Sequence, residues 1–174
     1  MSKLNLYRAG GLAALLGIVL LFAAYVVPAL LAVGVLLFAV TYFALYRLPG
    51  VGLPALNLAA VISTLLGAAG LLFTGSTPSV LFNVFMGLAL MLPAFLAGLS
   101  AYRQTAFPRA LPIIGIIAGA LGMLNAVANI SGGGDWTNLP NAMSKLFSDL
   151  TYYPATLLLL VWLVWGAFLL FRKA

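Results

Sequence analysis

Six long apolar stretches alternate with short polar or proline-marked breaks. They run Gly10–Val27, Pro28–Tyr46, Pro54–Phe73, Val80–Tyr102, Leu111–Ile130 and Tyr152–Phe171. Each is close to the ~20 residues that an α-helix needs to cross a hydrocarbon core of about 30 Å. The uncharged run from Gly10 to Tyr46 would span roughly 55 Å as one helix, too long for a single crossing. Pro28 divides it, because proline cannot donate to a helix and biases Val27 away from helical geometry. The pattern predicts an all-α polytopic membrane bundle: six transmembrane helices in three hairpins, forming one domain over residues 1–174. The Val27–Pro28 turn is unusually apolar for a connection.

The longest polar stretch, residues 131–150, forms the outer loop in this scheme. Within it Leu139, Met143, Leu146, Phe147 and Leu150 recur at helical spacing, with Asn141, Ser144, Lys145 and Ser148 opposite. This predicts a short amphipathic helix lying flat on the outer interface. Asn138 or Asn141 caps its start, Pro140 suits its first turn, and Trp136 sits at headgroup depth. Gly132–Gly134 reads as a helix stop and hinge. Pro154 is expected in the first turn of the last span. A resting interfacial helix and a lid over the fifth span share this pattern.

Composition supports the membrane reading. The 174 residues are 65% hydrophobic and only 6% charged, with mean hydropathy +1.21. Soluble domains carry about a quarter charged residues. The net charge of +6 would suggest nucleic acid, but the distribution points elsewhere. With the amino terminus inside, Lys3, Arg8, Arg47, Arg103, Arg109, Arg172 and Lys173 fall on the inner side and Lys145 alone on the outer. That is the positive-inside pattern. It predicts a multi-pass membrane protein with both termini cytoplasmic, partnered by the lipid bilayer and not by nucleic acid. The first span resembles a secretory signal. However, Ala23-Ala24-Tyr25 is a poor cleavage site and the apolar run continues, so this helix is expected to remain.

Two internal echoes stand out. Tyr7-Arg8, Tyr46-Arg47, Tyr102-Arg103 and Phe171-Arg172 pair an interfacial ring with a cation that reaches phosphate, a natural helix-end anchor. Ser63, Gly67, Gly70 and Thr74 in the third span match Gly115, Gly119, Gly122 and Ala126 in the fifth. Each set occupies one helical face. Small residues let helices approach closely, within the chain or against a second copy in a homo-oligomer or larger membrane complex. The alternative is a duplicated transporter half.

Candidate chemistry is sparse. There is no cysteine or histidine, which removes thiolate chemistry, the commonest metal ligand and the usual near-neutral base. No charge falls within a proposed span, which opposes proton-coupled transport and voltage sensing. Asp135 and Asp149 are a possible acid–base pair without a visible supporting shell. Gly132-Gly133-Gly134 lacks the lysine and hydroxyl of a phosphate loop. No catalytic, metal or cofactor site is expected. Uncharged polar residues do collect near the outer ends of the spans: Tyr25, Thr74, Asn83, Asn125, Asn129, Tyr152 and Tyr153. Of these, Asn83, Asn125, Asn129, Thr74, Tyr152 and Tyr153 form a candidate pocket for a small neutral or lipid-like molecule. The competing reading is helix cross-linking by the asparagines and a belt of tyrosines. Inner Asn57, Thr41 and Tyr42 are too scattered to predict a site.

The segments "FALYRLPGVGLPALNLAA" (Phe43–Ala60) and "LAGLSAYRQTAFPRALPIIGIIAGALGML" (Leu96–Leu124) carry a family resemblance. Gly98, Tyr102, Arg103, Phe107, Pro108, Arg109 and Gly115 match its pattern. The chain resembles a family of uncharacterised bacterial six-helix integral membrane proteins, defined as a domain of unknown function. The resemblance implies a helical bundle in a bacterial inner membrane and no particular activity. The function expected is therefore that of a non-enzymatic accessory or oligomer-forming membrane subunit. The alternative is a transporter or binding protein for a neutral or lipid-like molecule.

Overall fold

The computed structural model describes residues 3–48, 53–74, 77, 79–102, 107–133 and 142–174. Among them the chain is all-helical. The elements are α1 (Lys3–Ala23), α2 (Leu30–Tyr46), α3 (Pro54–Thr74), α4 (Val80–Met86), a π-helical turn (Gly87–Met91), α5 (Leu92–Ala101), α6 (Ala110–Ser131) and α7 (Ala142–Lys173). Helix α4, the π turn and α5 form one continuous rod. Five helices, counting that rod as one, are long and apolar enough to cross a membrane, and α2 is shorter at 17 residues. Helix α1 packs on α2, α2 on α3, α3 on the rod, the rod on α6, and α6 on α7, which returns to α1. The membrane character read from hydropathy thus has a closed helical bundle beneath it.

The turn between α1 and α2 explains how so apolar a connection is tolerated. The amides of Ala24, Tyr25, Val26 and Val27 bond to carbonyls of residues 20–23. Those of Leu30 and Leu31 bond to Val27 and Pro28. Pro28 has no donor to satisfy. Meeting most of its amides from its own carbonyls lowers the turn's need for water.

The π turn has a local cause. Pro93 follows it by two residues and lacks an N–H. The Leu92 amide reaches back five residues to Gly87 O, so Leu88 O would look to position 93 for its donor. Pro93 cannot supply one. Ser63 of α3 does, donating to Leu88 O at 2.6 Å. Removing that hydroxyl (Ser63→Ala) should destabilise the bundle by about 1–3 kcal/mol, the cost of an unmet buried acceptor. Adding Pro93→Ala should recover part of the loss. Unfolding midpoints in detergent read both effects, and an unchanged midpoint for Ser63→Ala would remove this role.

The last helix departs most from expectation. The amphipathic segment is not a separate helix lying on the interface. From Ala142 onward it is the opening of α7, which continues unbroken through Pro154 to Lys173. Its 32 residues rise roughly 48 Å at 1.5 Å each, well beyond a ~30 Å core. Pro154 therefore lies several turns inside the helix, not in its first turn. The physical reason is tertiary: Ser148 and Thr151 are bonded to α6, which holds the segment upright. Leu139, Asp135, Trp136, Asn138, Pro140, Asn141 and Gly134 lie outside the described residues. So do the lid reading's hinge beyond Gly133, and Arg103. Gly133 has φ 94°, a left-handed conformation that suits glycine at the end of α6.

The two small-residue stripes clasp the same rod. A Cβ at Gly67 would strike the Ala89 backbone, with Cα at 2.6 Å, and one at Gly70 would enter the Phe85 ring. From the other side, a Cβ at Gly115 would stand 3.1 Å from Ala94 O, and one at Gly119 would stand 2.6 Å from Met91 O and Phe95 N. Gly122 abuts the Met91 side chain. These glycines serve contacts within the chain, so close approach on both flanks of the rod rests on them.

The ends of the bundle differ in charge. Tyr7 Oη donates to Arg47 O at 3.0 Å, joining the start of α1 to the end of α2. Gly10 and Gly11 approach Leu170 and Phe171. Ser100 Oγ donates to Leu53 O at 3.3 Å, and Gly98 meets Pro112 O. One end therefore gathers Lys3, Arg8, Arg47, Arg109, Arg172 and Lys173. Arg47 lies over the Phe43 and Tyr46 rings at 5.3 and 5.8 Å. The opposite end carries Lys145 and Asp149.

Candidate functional site

The largest buried polar cluster joins α6 to the outer part of α7. Asn125 and Asn129 sit one turn apart on the face of α6 that carries Gly115, Gly119 and Gly122, so their side chains meet in sequence along that helix. Asn129 Nδ2 donates to Asn125 Oδ1 at 3.0 Å. Asn125 Nδ2 reaches Ser148 O at 2.9 Å, Ser148 Oγ at 3.1 Å and Thr151 Oγ1 at 3.1 Å. Ser148 Oγ closes the circuit by donating to Asn129 Oδ1 at 3.1 Å. Thr151 Oγ1 donates to Phe147 O and Ser148 O. All four residues are buried. The cluster is neutral and its donors are met by protein acceptors, so it suits fixing two helices in register.

The other residues of the expected pocket lie elsewhere in the hydrogen-bond pattern. Asn83 Nδ2 donates to Ser79 O at 2.9 Å at the start of α4, where the Ser79 side chain also caps Phe82 N at 3.1 Å. Thr74 Oγ1 donates to Gly70 O at 3.2 Å within α3. Tyr152 and Tyr25 bring their hydroxyls within 3.4 Å, linking α7 to the tip of α1. Tyr153 packs edge-on against Tyr152 with ring centroids 5.4 Å apart. The structure thus joins Asn125 to Asn129 and Tyr152 to Tyr153, and bonds Asn83 and Thr74 along their own helices.

Sequence reasoning missed three features. Ser148 reads from sequence as part of the polar face of 139–150 and Thr151 carries no expected role, because neither local pattern reveals α6 as a neighbour. Asn57, at the other end, is 3% exposed, and its Nδ2 has no hydrogen-bond partner. Elsewhere in the interior, Thr41 Oγ1 donates to Gly10 O at 3.0 Å, and Tyr42 and Trp162 are both buried. The signal for Asn57 was its inward position, in line with Ala60, Val61, Thr64 and Ala68 on α3.

Among the described residues no group of three or more carboxylate, histidine or cysteine side chains could hold a metal. A shallow groove of about 330 Å³ on the outside of α7 is walled by Leu160, Val161, Val164, Trp165 and Phe168. Its lining suits hydrocarbon. Comparison with protein-family models, with curated proteins and with solved structures finds no match to this chain.

Proposed function

We propose that the chain is a six-span membrane protein built of three antiparallel hairpins, with both termini cytoplasmic in a bacterial inner membrane. It works without catalysis, as an accessory or oligomer-forming subunit. The observation that carries this reading is the use of the interior polar groups. Asn125, Asn129, Ser148 and Thr151 bond to one another across a helix pair, and Ser63 and Thr41 bond neighbouring backbone. A bundle whose interior is committed to holding its helices together acts through its outside. The six basic side chains gathered at one end support the orientation, because positive charge marks the cytoplasmic side.

Two measurements test this reading. An impermeant thiol reagent applied to intact cells should label Ser131→Cys and spare Ala110→Cys, since both residues are exposed and lie at opposite ends of α6. The reverse pattern would overturn the orientation. Native mass measurement after gentle detergent extraction should find the chain in a larger species. A persistent lone monomer would overturn the subunit role.

One observation favours the second reading, a binding protein for a small neutral molecule. It is the unpartnered Asn57 amide, which lies toward the basic end and not in the outer cluster. Under the subunit reading this donor is idle. Asn57→Leu should then raise the unfolding midpoint, by about 1 kcal/mol in stability, because a buried unmet donor is removed. A lowered midpoint would favour an occupant bonded to Asn57.

A further inference from the structure

The shallow groove on the outside of α7 runs straight into the basic end of the bundle. Val161, Trp165, Phe168 and Arg172 follow one another at steps of four, three and four residues, so they share one helical face. The first three wall the groove, with Leu160 and Val164 beside them. The fourth is an exposed cation one turn beyond Phe168. Leu160 and Val164 lead on to Phe171 along the flank that meets α1, where a Cβ at Gly11 would stand 2.9 Å from the Phe171 ring. Arg8 lies three residues before Gly11, one turn nearer the same end, and is also exposed. Two cations thus flank the end of an apolar groove. Asp149, the one acidic side chain among the described residues, lies roughly 35 Å back along α7 from Arg172.

We propose that this face binds an anionic phospholipid, with one acyl chain along the groove and the phosphate held by Arg172 and Arg8. The order of the chemistry along α7 matches that of the lipid. Hydrocarbon lining runs from Leu160 to Phe168, and the cations follow at the helix end, where acyl chain gives way to headgroup. The ammonium of a zwitterionic headgroup would meet no acidic side chain there, whereas a headgroup with only negative charge is matched by both arginines. A second copy of this chain is a poorer occupant. Copies in one bilayer share an orientation, and a symmetric contact through the groove would set Arg172 beside its own counterpart with no acid between them. The site rests on the transmembrane reading above and adds a lipid class and a location to it.

The test uses the full chain carrying Trp136→Phe, in liposomes of phosphatidylcholine with a minor share of phosphatidylglycerol brominated on its acyl chains. Bromine quenches indole fluorescence at close range. Of the two remaining tryptophans Trp162 is buried, so the signal reports Trp165 in the groove. Brominated phosphatidylglycerol should quench more than brominated phosphatidylcholine at the same share. Arg172→Gln and Arg8→Gln should each cut this preference about fivefold, the ratio expected for one lost cation near a lipid surface. Arg109→Gln, which removes a cation at the start of α6, should leave it unchanged. Equal quenching by the two brominated lipids would overturn the proposal. So would an equal loss in all three variants, the mark of a diffuse surface charge, or no quenching by either lipid, the mark of a groove covered by another chain. A chain that does not float with the liposomes would overturn the transmembrane reading and this site with it.

Discussion

Asn125→Leu should cost the bundle about 2–3 kcal/mol, read as a lower unfolding midpoint in detergent or in nanodiscs. The side chain removed is the hub of the α6–α7 contact: it donates toward Ser148 and Thr151 and accepts from Asn129. Leucine fills a similar volume but leaves the Asn129 Nδ2 donor without its acceptor in a buried setting. An unmet buried polar group costs about 1–3 kcal/mol, more than the ~1 kcal/mol a single satisfied bond contributes. The same asymmetry predicts the double variant. Asn125→Leu with Asn129→Leu should cost less than the two single losses added together, because their shared bond is lost only once, although the Ser148 hydroxyl gives up its Asn129 acceptor. Additive losses would show that the two asparagines act independently.

The second large effect belongs to the seam between α6 and the rod. A Cβ at Gly119 would stand 2.6 Å from Met91 O and Phe95 N. Both are backbone atoms of a helix and cannot swing aside. Gly119→Ala should therefore cost about 1–3 kcal/mol, and Gly119→Leu should cost more or prevent recovery of folded protein. Gly166 provides the contrast. A Cβ there meets nothing within 4 Å, so Gly166→Ala should be neutral or stabilising by up to about 1 kcal/mol through helix propensity. Equal effects at the two glycines would break the link between close backbone approach and stability.

The elements that could be read from sequence were those set by local chemistry. The helices Pro54–Thr74 and Ala110–Ser131 begin and end within a residue or so of the expected spans, because proline and flanking charge mark where lipid gives way to polar surroundings. The expected 80–102 span is one rod, but its π turn was hidden. Pro93 was visible as a missing donor, whereas the answering hydroxyl of Ser63 lies 25 positions away. Helix α7 was misread for the same reason. Residues 142–150 have a real amphipathic pattern, and a bilayer surface and a neighbouring helix offer that pattern similar cover. Only the α6 asparagines distinguish the two. The matched stripes of Gly67–Gly70 and Gly115–Gly119 were visible as small-residue faces, but their common partner was not, since spacing gives a face and not what covers it. Asn125 with Asn129 emerged from their four-residue spacing. Their partners Ser148 and Thr151 required the fold.

The α1–α2 turn bears on how the protein enters its membrane. Its amides at positions 24–27, 30 and 31 are bonded within the turn, and Gly10 through Tyr46 carry no charge. The hairpin can pass into lipid as a closed unit, with no polar loop to be dragged across the bilayer. Under the proposed topology, Lys3, Arg8 and Arg47 mark its open end at the cytoplasmic surface. The first quarter of the chain can then be seated before α7 exists, leaving the last helix to arrive against a wall already standing.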